Sequence, residues 1–220
     1  QWLVGREAGQ RRLQRRTLPP LTAPVGGHHT LRSRRGMAYV RCGTHVDRPS
    51  QCDMLHVDVW CDGDNVASDP GTVSYNEPPP YHNPLAHTWA HNTVVVDGQD
   101  QTDKLTKFIW SPRVQAFVLP RRQDVHHDRP LWQLWEGGHN GYRRLPCDAV
   151  HQRCVIGLPD EVWLVLDEVR SQKPHQATLC WQVTAEAEVV DVDAQHIGVA
   201  LQGQQNLQVG SDDGAHYALE

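Results

Sequence analysis

Met54-Leu55-His56-Val57-Asp58-Val59-Trp60 is the stretch on which the fold class turns. Leu55, Val57 and Val59 alternate with His56 and Asp58, and a side-chain period of two marks a strand with one face against a core. This reading buries the three apolar residues and leaves His56 and Asp58 on a polar face toward solvent. Related runs are Ala38 to Cys42, Thr93 to Val96, Lys107 to Trp110, Val114 to Leu119, Leu131 to Glu136, Val150 to Ile156 and Val162 to Val169. Others follow at Ala177 to Val183, Ala187 to Val192, Ile197 to Leu201 and Leu207 to Val209. Helical periodicity is almost absent, and Asp62-Gly63, Asp97-Gly98 and Pro159-Asp160 punctuate the runs as turns. The pattern predicts an all-β fold, an antiparallel β-sandwich, with Val94, Val96, Trp163 and Val165 also in its core. A βαβ arrangement would need helical segments that the sequence lacks.

The 220 residues, 39% of them apolar, suffice for one large β domain or two small ones. No apolar run approaches the ~18 residues of a membrane-spanning helix. Net charge is −5, yet Arg6, Arg11, Arg12, Arg15 and Arg16 face the single acid Glu7 at the start of the chain. Residues 1–36 therefore read as a basic connector from a missing N-terminal domain, with its Arg-rich part as the one segment allowed to be helical. Residues 37–220 read as the sandwich. No nucleic-acid motif accompanies the arginines, so a solvated connector is the better reading and no nucleic-acid partner is expected. The first ten residues lack an initiator Met and a signal pattern, which suggests a fragment of a longer protein. Cys42, Cys52, Cys61, Cys147, Cys154 and Cys180 form no C-x-x-C pair or zinc spacing and are expected to pack as small apolar residues. Fourteen histidines are the compositional oddity, because imidazole serves both metal binding and proton transfer near neutral pH.

Between Asp69 and His91 the strand rhythm breaks. Asp69-Pro70-Gly71 opens a turn, and Pro78-Pro79-Pro80 cannot donate to a sheet ladder, so this span is a loop. Stiff loops bearing aromatics on a β scaffold commonly carry function. Around it, Arg41 to Asp97 holds His45, Asp47, Asp53, His56, Asp58, Asp69, Tyr75, Tyr81, His82, His87 and His91. These residue types suit a metal site or proton transfer, while Tyr75, Tyr81 and His87 read equally well as loop anchors. Asp69 ends one strand and His91 begins the next, so the two are expected within hydrogen-bonding or shared-ligand distance.

Three ordered blocks carry a family resemblance: Pro49-Ser50-Gln51-Cys52-Asp53-Met54-Leu55-His56-Val57-Asp58, Asp69-Pro70-Gly71-Thr72-Val73-Ser74-Tyr75-Asn76, and His91-Asn92-Thr93-Val94-Val95-Val96-Asp97-Gly98. With Gly141-Tyr142-Arg143-Arg144-Leu145, His151-Gln152-Arg153 and the strand ending at Asp167, the stretch from Met37 to Trp181 resembles the heparinase II/III-like C-terminal domain. The resemblance implies a helical toroid preceding the sandwich, a cleft between them, and β-elimination of uronate-containing polysaccharide. It implies an acidic polysaccharide as partner and a periplasmic or extracellular location. In such lyases a Tyr or His takes the proton alpha to the carboxylate, which makes Tyr75 and Tyr81 the candidate catalytic residues and Asn92 and His87 the candidate substrate-binding ones. Relatives hold zinc through two His and one Asp, and position carries this over to Asp69, His91 and Gln51. Metal-bearing members have a His-x-His-x-Asp pattern, and here Pro49 and Gln51 stand at its two His positions before Asp53. His45 or His87 is the other expected supply of a third ligand, and an Asp69–His91 hydrogen bond without metal is preferred. The alternative reading of the whole is a non-catalytic sandwich that binds polysaccharide or serves exopolysaccharide assembly.

Overall fold

The computed structural model describes residues 18–46, 48–74, 76, 78, 83–106, 109–126, 129–183, 188–192, 196–201 and 205–210. The Arg-rich start, Tyr75 and Tyr81 lie outside the described residues. A first antiparallel sheet runs in chain order through β1 (Thr22–Ala23), β2 (His28–Arg32), β3 (Gly36–Arg41), β4 (Val57–Cys61) and β5 (Asp64–Ala67). Next come β6 (Val94–Val96), the hairpin of β7 (Asp103–Thr106) and β8 (Ile109–Ser111), and β9 (Ala116–Val118). The second five-stranded sheet is β10 (Arg122–His126), β11 (Arg129–His139), β12 (Val150–Gly157) and β13 (Trp163–Arg170), with β9 also paired to β11. The chain continues through β14 (Ala177–Leu179), which pairs with β6, to a three-stranded sheet of β15 (Glu188–Val192), β16 (His196–Leu201) and β17 (Gln205–Gly210).

The sandwich core lies between the first two sheets. Leu31, Ala38, Val40, Val57, Val59 and Cys61 of the first sheet form one cluster with Trp135 and Val155 of the second, and Trp163 and Val165 pack against it partly buried. Each fully buried aliphatic side chain of this set contributes about 1.5–3 kcal/mol by leaving water. Leu55, Val57 and Val59 are buried in this core as alternation predicts, whereas Val94 and Val96 are buried in a second cluster with Tyr142, Leu145 and Ala149. The strand of Val57 and Val59 starts later than expected, at Val57, because Leu55 has a left-handed φ of 62° and turns the chain into β4. The strand-forming chain also begins earlier than Met37. β1 and β2 lie inside the stretch read as a connector, with His29 and Leu31 of β2 directed into the core despite their basic surroundings.

The histidine excess has a location. His29, His45, His56, His91, His139 and His151 are all buried. Burial lowers the pKa of His45 to about 4 and also lowers those of His29, His139 and His151, so these four rings are held neutral. Among the cysteines, Cys42, Cys52, Cys61 and Cys147 are buried, Cys154 and Cys180 are half-buried, and all six are free thiols.

Burial separates core from surface, since Leu166 of β13 is 57% exposed whereas Leu31 of β2 is 1% exposed. Leu31→Ala is expected to lower unfolding free energy by about 2–5 kcal/mol, and Leu166→Ala by under about 0.5 kcal/mol. Urea denaturation of the two variants checks the assignment of faces.

Candidate functional site

The chain leaves β5 at Ala67 and enters β6 at Val94, and the described parts of the connection meet the chain around β4 at Asp58 and His56. Its first anchor is Asp58, whose Oδ1 accepts the Asp69 N–H at 3.0 Å. Asp69 Oδ1 then accepts the Gly71 N–H at 2.7 Å, a turn closed with Gly71 at φ 73°. Such a φ favours glycine because no Cβ obstructs it. Two short 3-10 turns, Pro84–Ala86 and Thr88–Ala90, carry the chain to His91. There the expected meeting occurs: His91 Nδ1 lies 3.1 Å from Asp69 Oδ2 across twenty-two residues.

The third member of this cluster is His56, placed on the solvent face by alternation but in fact 2% exposed. Its face assignment was right. The loop, however, covers that face, and His91 packs edge-on against it with ring centroids 5.5 Å apart. His56 Nε2 lies 3.7 Å from Asp69 Oδ2 and 3.8 Å from Asp58 Oδ1. His56, Asp69 and His91 each present a ligand-type atom within 4.8 Å of the others. Gln51 is not among them, since its side-chain amide donates to the Gly71 carbonyl at 3.2 Å. Neither is His45, buried apart from the cluster, nor His87, whose Nδ1 lies 2.6 Å from Asp100 Oδ2.

By residue type and spacing this trio suits zinc, which takes His and Asp ligands in a roughly tetrahedral set. The two ring nitrogens Nε2 of His56 and His91 are also buried without a hydrogen-bond partner. The direction of one hydrogen bond decides against the fit. His56 Nδ1 accepts the backbone N–H of Asn92 at 3.0 Å. A neutral imidazole has one lone pair and one N–H. With the lone pair at Nδ1 turned to Asn92, the proton sits on Nε2, which then cannot ligate a cation. Asp69 and His91 remain, one ligand short of the three protein ligands usual even in open zinc sites. The residues present therefore do not fit zinc.

Asn92 is wholly structural in its contacts. Its amide donates to the carbonyls of Val57 at 2.9 Å and Ser68 at 3.2 Å, and its oxygen accepts the Gln182 N–H. The side chain is fully buried and both its amide protons are used within the protein. Burial pushes the Asp69 carboxyl up, but hydrogen bonds from His91 and the Gly71 N–H, with the nearby imidazoles, outweigh it and leave its pKa below the usual value. Beneath the cluster, Arg153 Nη1 donates to the carbonyls of Leu55, at 2.6 Å, and Asn92, and its guanidinium pairs with Asp167. Sequence reading passed over Arg153 and Asp167 as site residues. The available signal was that Arg153 shares a face of β12 with the core residue Val155, where a charge needs a partner.

A family model described as Heparinase II/III-like, C-terminal matches residues 15–220. Among solved structures, the chain is similar to a heparinase III with a TM-score of 0.70 at 15% identity, covering 92% of this chain and 30% of that one. It is also similar to a heparan sulfate lyase from Pedobacter heparinus, with a TM-score of 0.69 at 15% identity, covering 95% of this chain and 31% of that one. The chain thus spans under a third of the length of these structures, and at such identity the likeness concerns the fold. No curated protein matches the chain.

The His56 hydrogen bond generates a test by isosteres. Asn carries an acceptor near the position of Nδ1, whereas Gln reaches the position of Nε2. His56→Asn is expected to stay close to wild type in stability, while His56→Gln strands the Asn92 N–H and costs about 1–3 kcal/mol. Added zinc is expected to leave the wild-type melting temperature unchanged. The reverse ranking, with a zinc-induced rise, contradicts the assignment of the proton to Nε2.

Proposed function

We propose, from the premise that the chain belongs to the heparinase II/III-like, C-terminal family, that it is the sandwich part of a polysaccharide lyase that cleaves uronate-containing polysaccharide by β-elimination. The observation that carries this reading is the clamped loop. The Asp69–His91 contact and the Asn92 amide fasten both ends of a long proline-bearing loop to one face of the sandwich. In sequence that loop carries Tyr75 and Tyr81, the candidates for taking the proton alpha to the uronate carboxylate. On this reading the rest of the cleft comes from a helical toroid elsewhere in the longer protein. The protein then acts in the periplasm or outside the cell, where polymeric acidic polysaccharide is met. The reading is metal-free, supported by the hydrogen bond that Asn92 makes to His56.

One observation favours a second reading. Pro49 stands at the position where some family members carry a catalytic His, and its side chain cannot move protons. A non-catalytic sandwich that binds polysaccharide, or organises it during exopolysaccharide assembly, accommodates that residue without further adjustment.

Incubating the full-length protein with heparan sulfate, alginate and other polyuronates separates the two. The expected outcome is growth of ultraviolet absorbance from the unsaturated product on at least one polymer, with residues 1–220 alone giving none. A flat trace on every polymer with the full-length protein overturns the lyase reading.

A further inference from the structure

We propose that His87, oriented by Asp100, is the proton-transfer group that this sandwich contributes to the elimination. The inference rests on the lyase reading and assigns its chemistry to a particular ring.

His87 sits between the two 3-10 turns of the loop, four residues before the His91 clamp. Its Nδ1 lies 2.6 Å from Asp100 Oδ2, and Asp100 is itself fixed, because Oδ1 accepts the Thr88 N–H at 2.7 Å. The Thr88 hydroxyl accepts the Gln101 N–H at 3.1 Å, and Arg144 donates to the Asp100 carbonyl, so the backbone around the carboxylate is tied down as well. Trp110, buried, meets the imidazole edge-on at 5.5 Å and limits its rotation. A carboxylate beside Nδ1 holds the ring proton there and leaves the lone pair on Nε2. His87 is 30% exposed at its side chain.

The other histidines whose side chains are described do not share this combination: His29 and His45 are buried, and His175 Nδ1 faces the Ser171 hydroxyl. His56, His91, His139 and His151 are fully or almost fully buried, so none reaches a polymer. His28 is exposed, but its Nδ1 faces the Tyr39 hydroxyl rather than a carboxylate. His87 joins an orienting carboxylate to an accessible ring edge, the relation that activates imidazole as a general base. The Lys104 ammonium lies 5.4 Å from the centre of the Trp110 ring. The dyad also supplies a proton-transfer group in a chain that has proline at position 49.

In the step, His87 Nε2, in place of Tyr75 or Tyr81, takes the proton from the carbon alpha to the carboxylate. The C–H electron pair becomes the new C=C bond as the C–O bond to the departing sugar breaks. The leaving oxygen takes the proton back from the imidazolium, so the ring returns to its starting form without an oxidant or other co-reactant.

The test uses the full-length protein and whichever polyuronate it turns over. His87→Ala is expected to lower kcat at least about 100-fold with partial rescue by added imidazole, a response that loss of a mere loop anchor would not give. Asp100→Asn retains an acceptor for the Thr88 N–H but no longer fixes the Nδ1 proton. It is expected to lower kcat with KM and melting temperature near wild type, which keeps the proposal testable if His87→Ala fails to fold. A folded His87→Ala enzyme keeping more than a tenth of wild-type kcat, or an Asp100→Asn enzyme with unchanged kcat, overturns this assignment alone. Absence of turnover by the wild-type protein overturns it together with the lyase reading.

Discussion

The buried pair of Arg153 and Asp167 is the contact on which the site's geometry depends. The two residues face each other across the β12–β13 ladder. Arg153 Nε and Nη2 meet the two carboxylate oxygens at 2.7 and 2.8 Å, a bidentate geometry that suits a guanidinium in a poorly solvated place. Burial alone would raise the Asp167 carboxyl, but Arg153 and the His151 ring at 2.7 Å hold it well below the usual carboxylate range. The remaining Arg153 donors reach carbonyls 98 and 61 residues away in sequence. Those carbonyls belong to Leu55, which precedes His56, and Asn92, which follows His91. One side chain of the second sheet thereby sets the spacing between two histidines supplied by separate segments.

The polarity of the cluster follows from that placement. Leu55 has a left-handed φ, a conformation that costs about 1–2 kcal/mol for a residue with a Cβ, and the Arg153 contact at its carbonyl helps hold it. The turn brings His56 under the Asn92 N–H, and the proton is driven to the nitrogen facing Asp58 and Asp69. A site with metal-like residue types is thus wired as a hydrogen-bonded clamp. The His87–Asp100 pair is built separately, on Thr88, Arg144 and Trp110, and keeps an open ring edge. Holding the loop and moving a proton are divided between two carboxylate–imidazole pairs.

Much of the sandwich was legible because alternation reports a half-buried strand directly: β4, β6, β12 and β13 all appear near their expected positions. β1 and β2 were not, since short strands among Arg, Gly and His carry little periodic signal. The meeting of Asp69 and His91 was legible from the loop's two ends and from the family resemblance. His56 was misplaced because alternation tells which face a side chain occupies, not what later covers that face. Gln51 was named by position in a motif, whereas the third member of the cluster is His56, five residues further on. Asp100 and Arg153 escaped notice because their partners lie across turns and sheets that no local pattern encodes.

A double-mutant cycle on Arg153 and Asp167, read by urea denaturation, tests this account most directly. Arg153→Met and Asp167→Leu singly should each cost about 3–5 kcal/mol, because each leaves a buried charge without its partner, while the double variant should cost clearly less than their sum. Additive losses of under about 1 kcal/mol each, in the range of exposed ion pairs, would contradict the claim that this pair holds the site together.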